Sequence, residues 1–226
     1  MRWIAQLYDW LGKNASVTDP EFPLSPPPSH GTEQLRPGYG SRHPDLDALL
    51  SSRTPAAVDR VVWGGDLELE VAAYPKPAPL PSALVTSVRC IVRVGDRIVV
   101  CQIPDGPQHV WPGGRREAGE AYRATARREV YEETGWLIDE QDLRALGFLH
   151  LRFVLPRPDD HPYPHPDFLQ LIYTAPAHQH AADHSTWTDI EGWEQGHSLL
   201  TPTELHATGL QAIQRAFLDI LPAPGR

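Results

Sequence analysis

Residues 113–136 hold five glutamates and five arginines, opened by Gly113-Gly114 and closed by Gly135-Trp136. Inside this stretch, residues 121–133 contain neither Gly nor Pro and are rich in Ala, Arg and Glu, which predicts a helix. Gly135 is placed to end it as a left-handed cap. At about 100° per residue, Glu129, Glu132 and Glu133 fall on one face of that helix. Like charges three or four residues apart cost a helix a few tenths of a kcal/mol per pair, so the trio is a poor structural device. A divalent cation reverses the sign. Hard carboxylate oxygens on one face suit Mg2+ or Mn2+, which keep several waters and complete their shell from substrate phosphates. Arg128 lies next to Glu129 and four residues before Glu132, where it can fix a carboxylate by a charge-assisted hydrogen bond. Taken singly, each feature also fits a solvated helix with ordinary surface ion pairs.

The chain of 226 residues is long enough for one large domain with a substantial extension. Its formal net charge is −9, and residues 1–81 form no basic patch, which argues against a duplex nucleic acid or anionic membrane partner. No apolar run approaches the ~20 residues of a membrane span. The N-terminal MRWIAQLYDWLGK lacks the pattern of a secretory signal, so a cytoplasmic protein is the expectation. Cys90 and Cys101 would face each other if Gly95-Asp96 is a two-residue hairpin turn. In a cytosolic protein two reduced core cysteines are expected.

Along the chain, Trp3, Ile4, Leu7, Tyr8, Trp10 and Leu11 have helical spacing, which predicts a short amphipathic helix that packs on the body or forms a homodimer contact. Residues 14–45 read as a Pro-rich linker, and residues 46–53 as one or two helical turns. Residues 58–74 read as two strands about Gly64-Gly65-Asp66. From residue 82 the texture changes. TSVRCIVRV and DRIVVCQI predict strands around Gly95-Asp96, and HVWPGG a short strand. LRALGFLHLRFVL (143–155) and DFLQLIYTA (167–175) predict two more. A terminal helix follows, with Thr203 as N-cap and Leu205, Leu210, Ile213, Phe217, Leu218 and Leu221 as its stripe. The order predicts an α/β (or α+β) fold with a mixed sheet. Residues 1–81 form an N-terminal extension with a short helix, a Pro-rich linker and a β-hairpin, and residues 82–222 form the main domain.

The spacing separates the two readings of the carboxylates. Five residues lie between Gly114 and Glu120, seven more before Arg128, and then come Glu129-Val130-Tyr131-Glu132-Glu133-Thr134-Gly135-Trp136. This resembles the Nudix box, G-x5-E-x7-R-E-U-x-E-E-x-G-U with U apolar, at every position. Seven fixed and two apolar positions would match by chance on the order of once in ten million chains of this length. The resemblance covers about residues 82–222 and leaves residues 1–81 unexplained.

The resemblance implies an α/β/α sandwich with a mixed sheet, and a hydrolase acting on a nucleoside diphosphate linked to another group X. It implies Glu129, Glu132 and Glu133 as catalytic residues and metal ligands for Mg2+ or Mn2+, with Glu120 as a weaker ligand. Nine residues before Glu129, Glu120 can join them only if the helix starts after it or bends. Arg128 would orient Glu129 or Glu132, and Gly113, Gly114, Arg115 and Arg116 would bind substrate. The general base is a box glutamate or an acid on a later loop, where Asp159, Asp160, His161, His165 and Asp167 are candidates. Trp111, Phe148, Phe153, Tyr163 and Phe168 offer rings for stacking a base, although most read as core. The residues after the box match no subfamily signature: the first proline there is Pro156. A non-catalytic nucleotide-binding module of the same type is the alternative reading.

Overall fold

The computed structural model describes residues 42–63, 67–102, 111–155, 163–181 and 196–221. The expected N-terminal helix, most of the Pro-rich linker, Asp159, Asp160 and His161 lie outside these residues.

Nine strands are described. They are β1 (Ala57–Trp63), β2 (Leu67–Tyr74), β3 (Val85–Val94), β4 (Arg97–Gln102), β5 (Trp136–Leu137), β6 (Arg144–Phe153), β7 (Asp167–Pro176), β8 (Gln179–His180) and β9 (Gly196–Leu200). The helices are α1 (Pro44–Ser51), α2 (Tyr122–Thr134), α3 (Pro202–Ala207) and α4 (Ala212–Leu218). Seven strands form one sheet in the order β1-β2-β6-β7-β3-β4-β9, while β5 and β8 pair separately. Within the large sheet, β3 and β7 run parallel and the other neighbours antiparallel, so it is mixed as expected.

Helices cover both faces, which makes the α/β/α sandwich. On one face Tyr122, Ala126 and Val130 of α2 and Leu46 and Leu50 of α1 pack on Val88, Cys90, Leu171 and Tyr173. On the other, Leu205, Ile213 and Phe217 of α3 and α4 pack with Leu69, Ile91, Leu149 and Ile172. The central strand β7 is covered on both sides and therefore reads as a near-continuous apolar run, whereas LELE in β2 alternates. The β1–β2 hairpin pairs with β6 from Leu69–Phe153 to Tyr74–Phe148. The hairpin thus joins the sheet, and α1 the core, of the chain after residue 82. No described helix is long and apolar enough to cross a membrane.

Three local expectations change. The terminal helix is broken: Thr201, not Thr203, caps α3 through a capping box with Glu204, and Gly209 at φ 74 reverses the chain before α4 begins. The apolar stripe is continuous in sequence, but Gly209 divides it between Leu205 and Leu210. The turn at Gly95-Asp96 is as expected, yet β3 and β4 pair only at Arg93–Ile98 and Val94–Arg97. Upstream the edge of β3 is taken by the glycine segment, with Cys90 N–H donating to Pro112 O (2.9 Å) and Val88 N–H to Gly114 O (3.0 Å). Residues 111–114 are accordingly extended chain against β3 and not a regular strand. Cys90 therefore does not face Cys101, whose strand partner is His197. Both cysteines are buried and are not joined as a disulfide.

Candidate functional site

The helix α2 begins at Tyr122, two residues after Glu120, and ends at Gly135, whose φ of 71 is the left-handed cap. The start after Glu120 leaves that residue on a loop, free to fold back alongside the helix. Arg128 is the centre of the site. Its Nη1 donates to Glu129 Oε1 (2.9 Å) and Glu132 Oε2 (2.8 Å). Its Nε donates to Glu120 Oε1 (2.9 Å), and its Nη2 to Glu120 Oε2 (3.0 Å) and Arg115 O (2.9 Å). Five bonds use all five guanidinium N–H donors. One side chain thus ties the loop before the helix, the glycine segment and two helix carboxylates into a fixed unit.

Glu120 is consumed in this arrangement. Its Oε2 also accepts from Thr125 Oγ1 (2.8 Å) and Glu117 N–H (3.0 Å). Burial alone would raise its pKa, but the hydrogen bonds from Arg128, Glu117 and Thr125 outweigh it and hold the carboxyl below its usual range. Glu129 behaves oppositely. It is 8 % exposed, and burial pushes its pKa up to about 7 against the attraction of Arg128 and Arg89. Glu133 turns to the glycine segment, where its Oε2 accepts from Gly113 N–H (2.9 Å).

The two glycines are required by close approach. A Cβ on Gly114 would lie 2.6 Å from Glu129 Cδ and Oε1, and nearer still to Oε2. A Cβ on Gly113, at φ 150, would collide with Val88 O and stand 2.7 Å from Arg89 Cα. Gly114 therefore lets the chain lie directly against the Glu129 carboxylate, and Gly113 lets the segment lie flat on β3.

Arg115 and Arg116 are both engaged by aromatic rings. Arg115 Nε donates to Tyr163 Oη (3.1 Å), and its guanidinium carbon is 4.7 Å from the ring centroid. Tyr163 in turn stacks on Phe168, with centroids 4.7 Å apart and planes 16° from parallel. Arg116 lies over the Tyr122 ring at 4.8 Å. Among the ring candidates Tyr163 is half-buried, and Trp111, Phe148, Phe153 and Phe168 are buried in the core.

Of the loop candidates, Asp167 is 1 % exposed and internally paired. Its Oδ1 meets His150 Nε2 at 2.6 Å, and its Oδ2 accepts from Arg42 Nε at 3.3 Å. Burial would raise its pKa, but His150 and Arg42 outweigh that and lower it. His165 packs its ring on Phe153 at 5.4 Å.

Sequence reasoning missed Arg89. This half-buried arginine on β3 lies beside Gly113 and draws down the Glu129 pKa. The signal was present as a lone cation inside the apolar run TSVRCIV. It also missed the trio Asp139, Asp142 and His178, whose donor atoms all lie within 4.8 Å of one another on the surface after α2. Among the described residues this is the one cluster of three such donors that close. The box carboxylates are drawn apart by Arg128 on one side and Gly113 on the other.

A family model described as the NUDIX domain matches residues 83–220. Among solved structures, the Bacillus subtilis pyrophosphohydrolase BsRppH (E68A mutant) is similar at 20% identity over 58% of this chain and 72% of that chain, with a TM-score of 0.44. The MutT protein from Bacillus halodurans is similar at 22% identity over 59% and 78%, with a TM-score of 0.44. A NUDIX hydrolase from Nitrosomonas europaea is similar at 17% identity over 60% and 87%, also with a TM-score of 0.44. No curated protein matches the chain.

Proposed function

The chain belongs to the NUDIX family of pyrophosphate-cleaving hydrolases, and we propose that it cleaves the pyrophosphate linkage of a nucleoside diphosphate joined to a second group. Family members generally use divalent metal ions. In this chain Glu129, Glu132 and Glu133 would hold Mg2+ or Mn2+, and Glu120 serves Arg128 instead. The residues fit such ions: the donors are hard carboxylate oxygens, and Gly114 keeps any side chain from displacing the Glu129 carboxylate. When bound, the ions would neutralise the diphosphate and acidify an attacking water.

The observation that carries this reading is the five-bonded Arg128. It holds Glu129 and Glu132 in fixed rotamers before substrate arrives, so little reorganisation remains for the reaction itself. Burial pushes the Glu129 pKa up to about 7 even against Arg128 and Arg89. Arg89, beside Gly113, is placed to face charge developing on a phosphate. Of the described acids on the later loop, Asp167 is occupied by His150 and Arg42, and this reading assigns proton acceptance to a box carboxylate.

The test is a phosphate-release screen with Mg2+ or Mn2+ against nucleoside triphosphates, nucleotide sugars, ADP-ribose and dinucleoside polyphosphates. Glu133→Gln keeps the side-chain volume and should lower kcat by at least about 10² with little change in Tm. Release on one substrate class that survives the substitution undiminished would refute the assignment of Glu133. Silence on the whole panel, with nucleotides still raising the Tm, would favour a non-catalytic nucleotide-binding module.

A further inference from the structure

We propose that Asp139, Asp142 and His178 form a metal site separate from the box, which takes a transition-metal dication such as Zn2+ and braces the chain beyond the end of α2. The donor atoms of the three side chains all lie within 4.8 Å of one another. His178 Nε2 stands 2.7 Å from Asp142 Oδ2 and 3.6 Å from Asp139 Oδ2. Donors around a tetrahedral zinc, with bonds of about 2.0–2.2 Å, are about 3.4 Å apart. The two observed separations fall on either side of that value, so small side-chain rotations seat the ion. Three protein ligands leave the fourth position to water.

The backbone that carries the trio is fixed on both sides. Asp139 caps, and Asp142 ends, the short 3-10 turn Glu140–Asp142, with Asp142 N–H donating to Asp139 O (3.0 Å). Ile138 and Leu143, buried at either end, root this turn in the core under α2. Arg123 of α2 donates from Nη1 to Glu140 O (2.8 Å) and Leu143 O (2.9 Å), which ties the turn to the helix. His178 arrives from the other side, just before β8, with its N–H donating to Leu137 O (3.0 Å). The pairing of β8 with β5 holds it there. His178 and Asp142 are 36 residues apart in sequence, so the fold and no local turn brings them together. An ion between them joins the turn after β5 to the entry of β8, directly behind the Gly135 cap of α2.

The charge around the trio calls for a cation. With His178 as the neutral imidazole that a metal needs, two carboxylates leave the site at a charge that one dication cancels. The neighbouring arginines are committed elsewhere. Arg144 Nη1 donates to Gln141 O (2.7 Å) and Leu143 O (3.0 Å), and Arg127 Nη1 lies 4.0 Å from Glu140 Oε1. Among the described residues no lysine or arginine pairs with Asp139 or Asp142. An exposed His–Asp pair by itself stabilises a fold little, and a second carboxylate brought up to it adds repulsion. The imidazole selects the metal class. One nitrogen with two carboxylate oxygens suits Zn2+ and its transition-metal neighbours, whereas Mg2+ and Ca2+ take oxygen donors. The trio shares no residue with the box, where the donors are carboxylates alone.

The experiment titrates Zn2+ into the full chain, stripped of metal and held in excess Mg2+, in competition with a chromophoric zinc chelator, and records a thermal melt beside it. Wild type is compared with His178→Ala, Asp142→Asn and Glu133→Gln. The proposal expects one Zn2+ per chain, with a higher Tm on binding, in wild type and in Glu133→Gln. His178→Ala and Asp142→Asn should each bind Zn2+ at least about 10-fold more weakly. Absence of Zn2+ binding by wild type would overturn the proposal, as would binding undiminished in the two trio variants. Binding lost in Glu133→Gln and kept in His178→Ala would put the ion in the box and overturn it equally. If His178→Ala does not fold, Asp142→Asn, whose carboxylate bonds only within the trio, carries the same comparison. Silence in the phosphate-release screen would count against the hydrolase reading and leave this site standing.

Discussion

Gly114→Ala separates the chemistry of the site from its stability. Gly114 does not need a left-handed backbone, so alanine is conformationally allowed and the cost is purely one of space. The new Cβ would lie 2.6 Å from Glu129 Cδ and Oε1, against an ordinary contact of 3.4 Å or more. The carboxylate must retreat by roughly 1 Å, because the glycine segment is pinned to β3 by backbone hydrogen bonds on either side. A retreat of that size stretches the 2.9 Å bond from Arg128 Nη1 to Glu129 beyond hydrogen-bonding range. Loss of one charge-assisted bond, partly offset by side-chain relaxation, should cost about 1–2 kcal/mol, or a few degrees of Tm. Displacement of a reacting group by about 1 Å should lower kcat by about 10². The assay is kcat with saturating Mg2+ beside a thermal melt. Gly113→Ala is the contrast: there the Cβ meets Val88 O and Arg89 Cα, backbone atoms that cannot step aside. That variant should lose about 3 kcal/mol or more. Wild-type kcat in Gly114→Ala would refute the reasoning, as would an activity loss that merely follows the unfolded fraction.

Arg128→Lys supplies at most three donors where five are used, so it should lower kcat by about 10- to 100-fold and lower Tm, as steady-state kinetics and calorimetry would show. Thr201→Ala removes the α3 capping box and should cost about 1 kcal/mol by denaturant titration, with kcat unchanged. Asp167 has a folded-state pKa below its usual 3.8. Its stabilisation is therefore complete above the unfolded value and lost as pH falls through the folded one. Stability measured from pH 6 down to 2 should drop along that limb, and Asp167→Asn should flatten the drop while lowering stability at pH 6.

How far the site could be read from the chain depends on the distance over which each feature is specified. The extent of α2 and the shared face of Glu129, Glu132 and Glu133 follow from local facts, the absence of Gly and Pro over 121–133 and the cap at Gly135. That the helix starts after Glu120 was the stated condition for Glu120 to reach the others. It does reach them, but through Arg128, because a guanidinium that donates to both oxygens at once outcompetes any single donor for a loop carboxylate. The pairing of β2 with β6 joins segments about 80 residues apart, and nothing local encodes it. The same limit hid the edge of β3, where the glycine segment displaces β4 and with it the Cys90–Cys101 register. Within β6 and β7 the apolar runs were plain, yet their polar members were passed over. A polar residue in a strand covered on both faces must find a partner or remain a cost. His150 resolves that demand inside the fold, because Asp167 stands beside it at 2.6 Å. Gln170, three residues further along β7, is set beside Ser87 of β3 and Leu149 of β6. The two positions look alike in sequence, and only the pairing of β6 with β7 and of β7 with β3 separates them, by bringing His150 to a carboxylate and Gln170 beside Leu149 and Ser87.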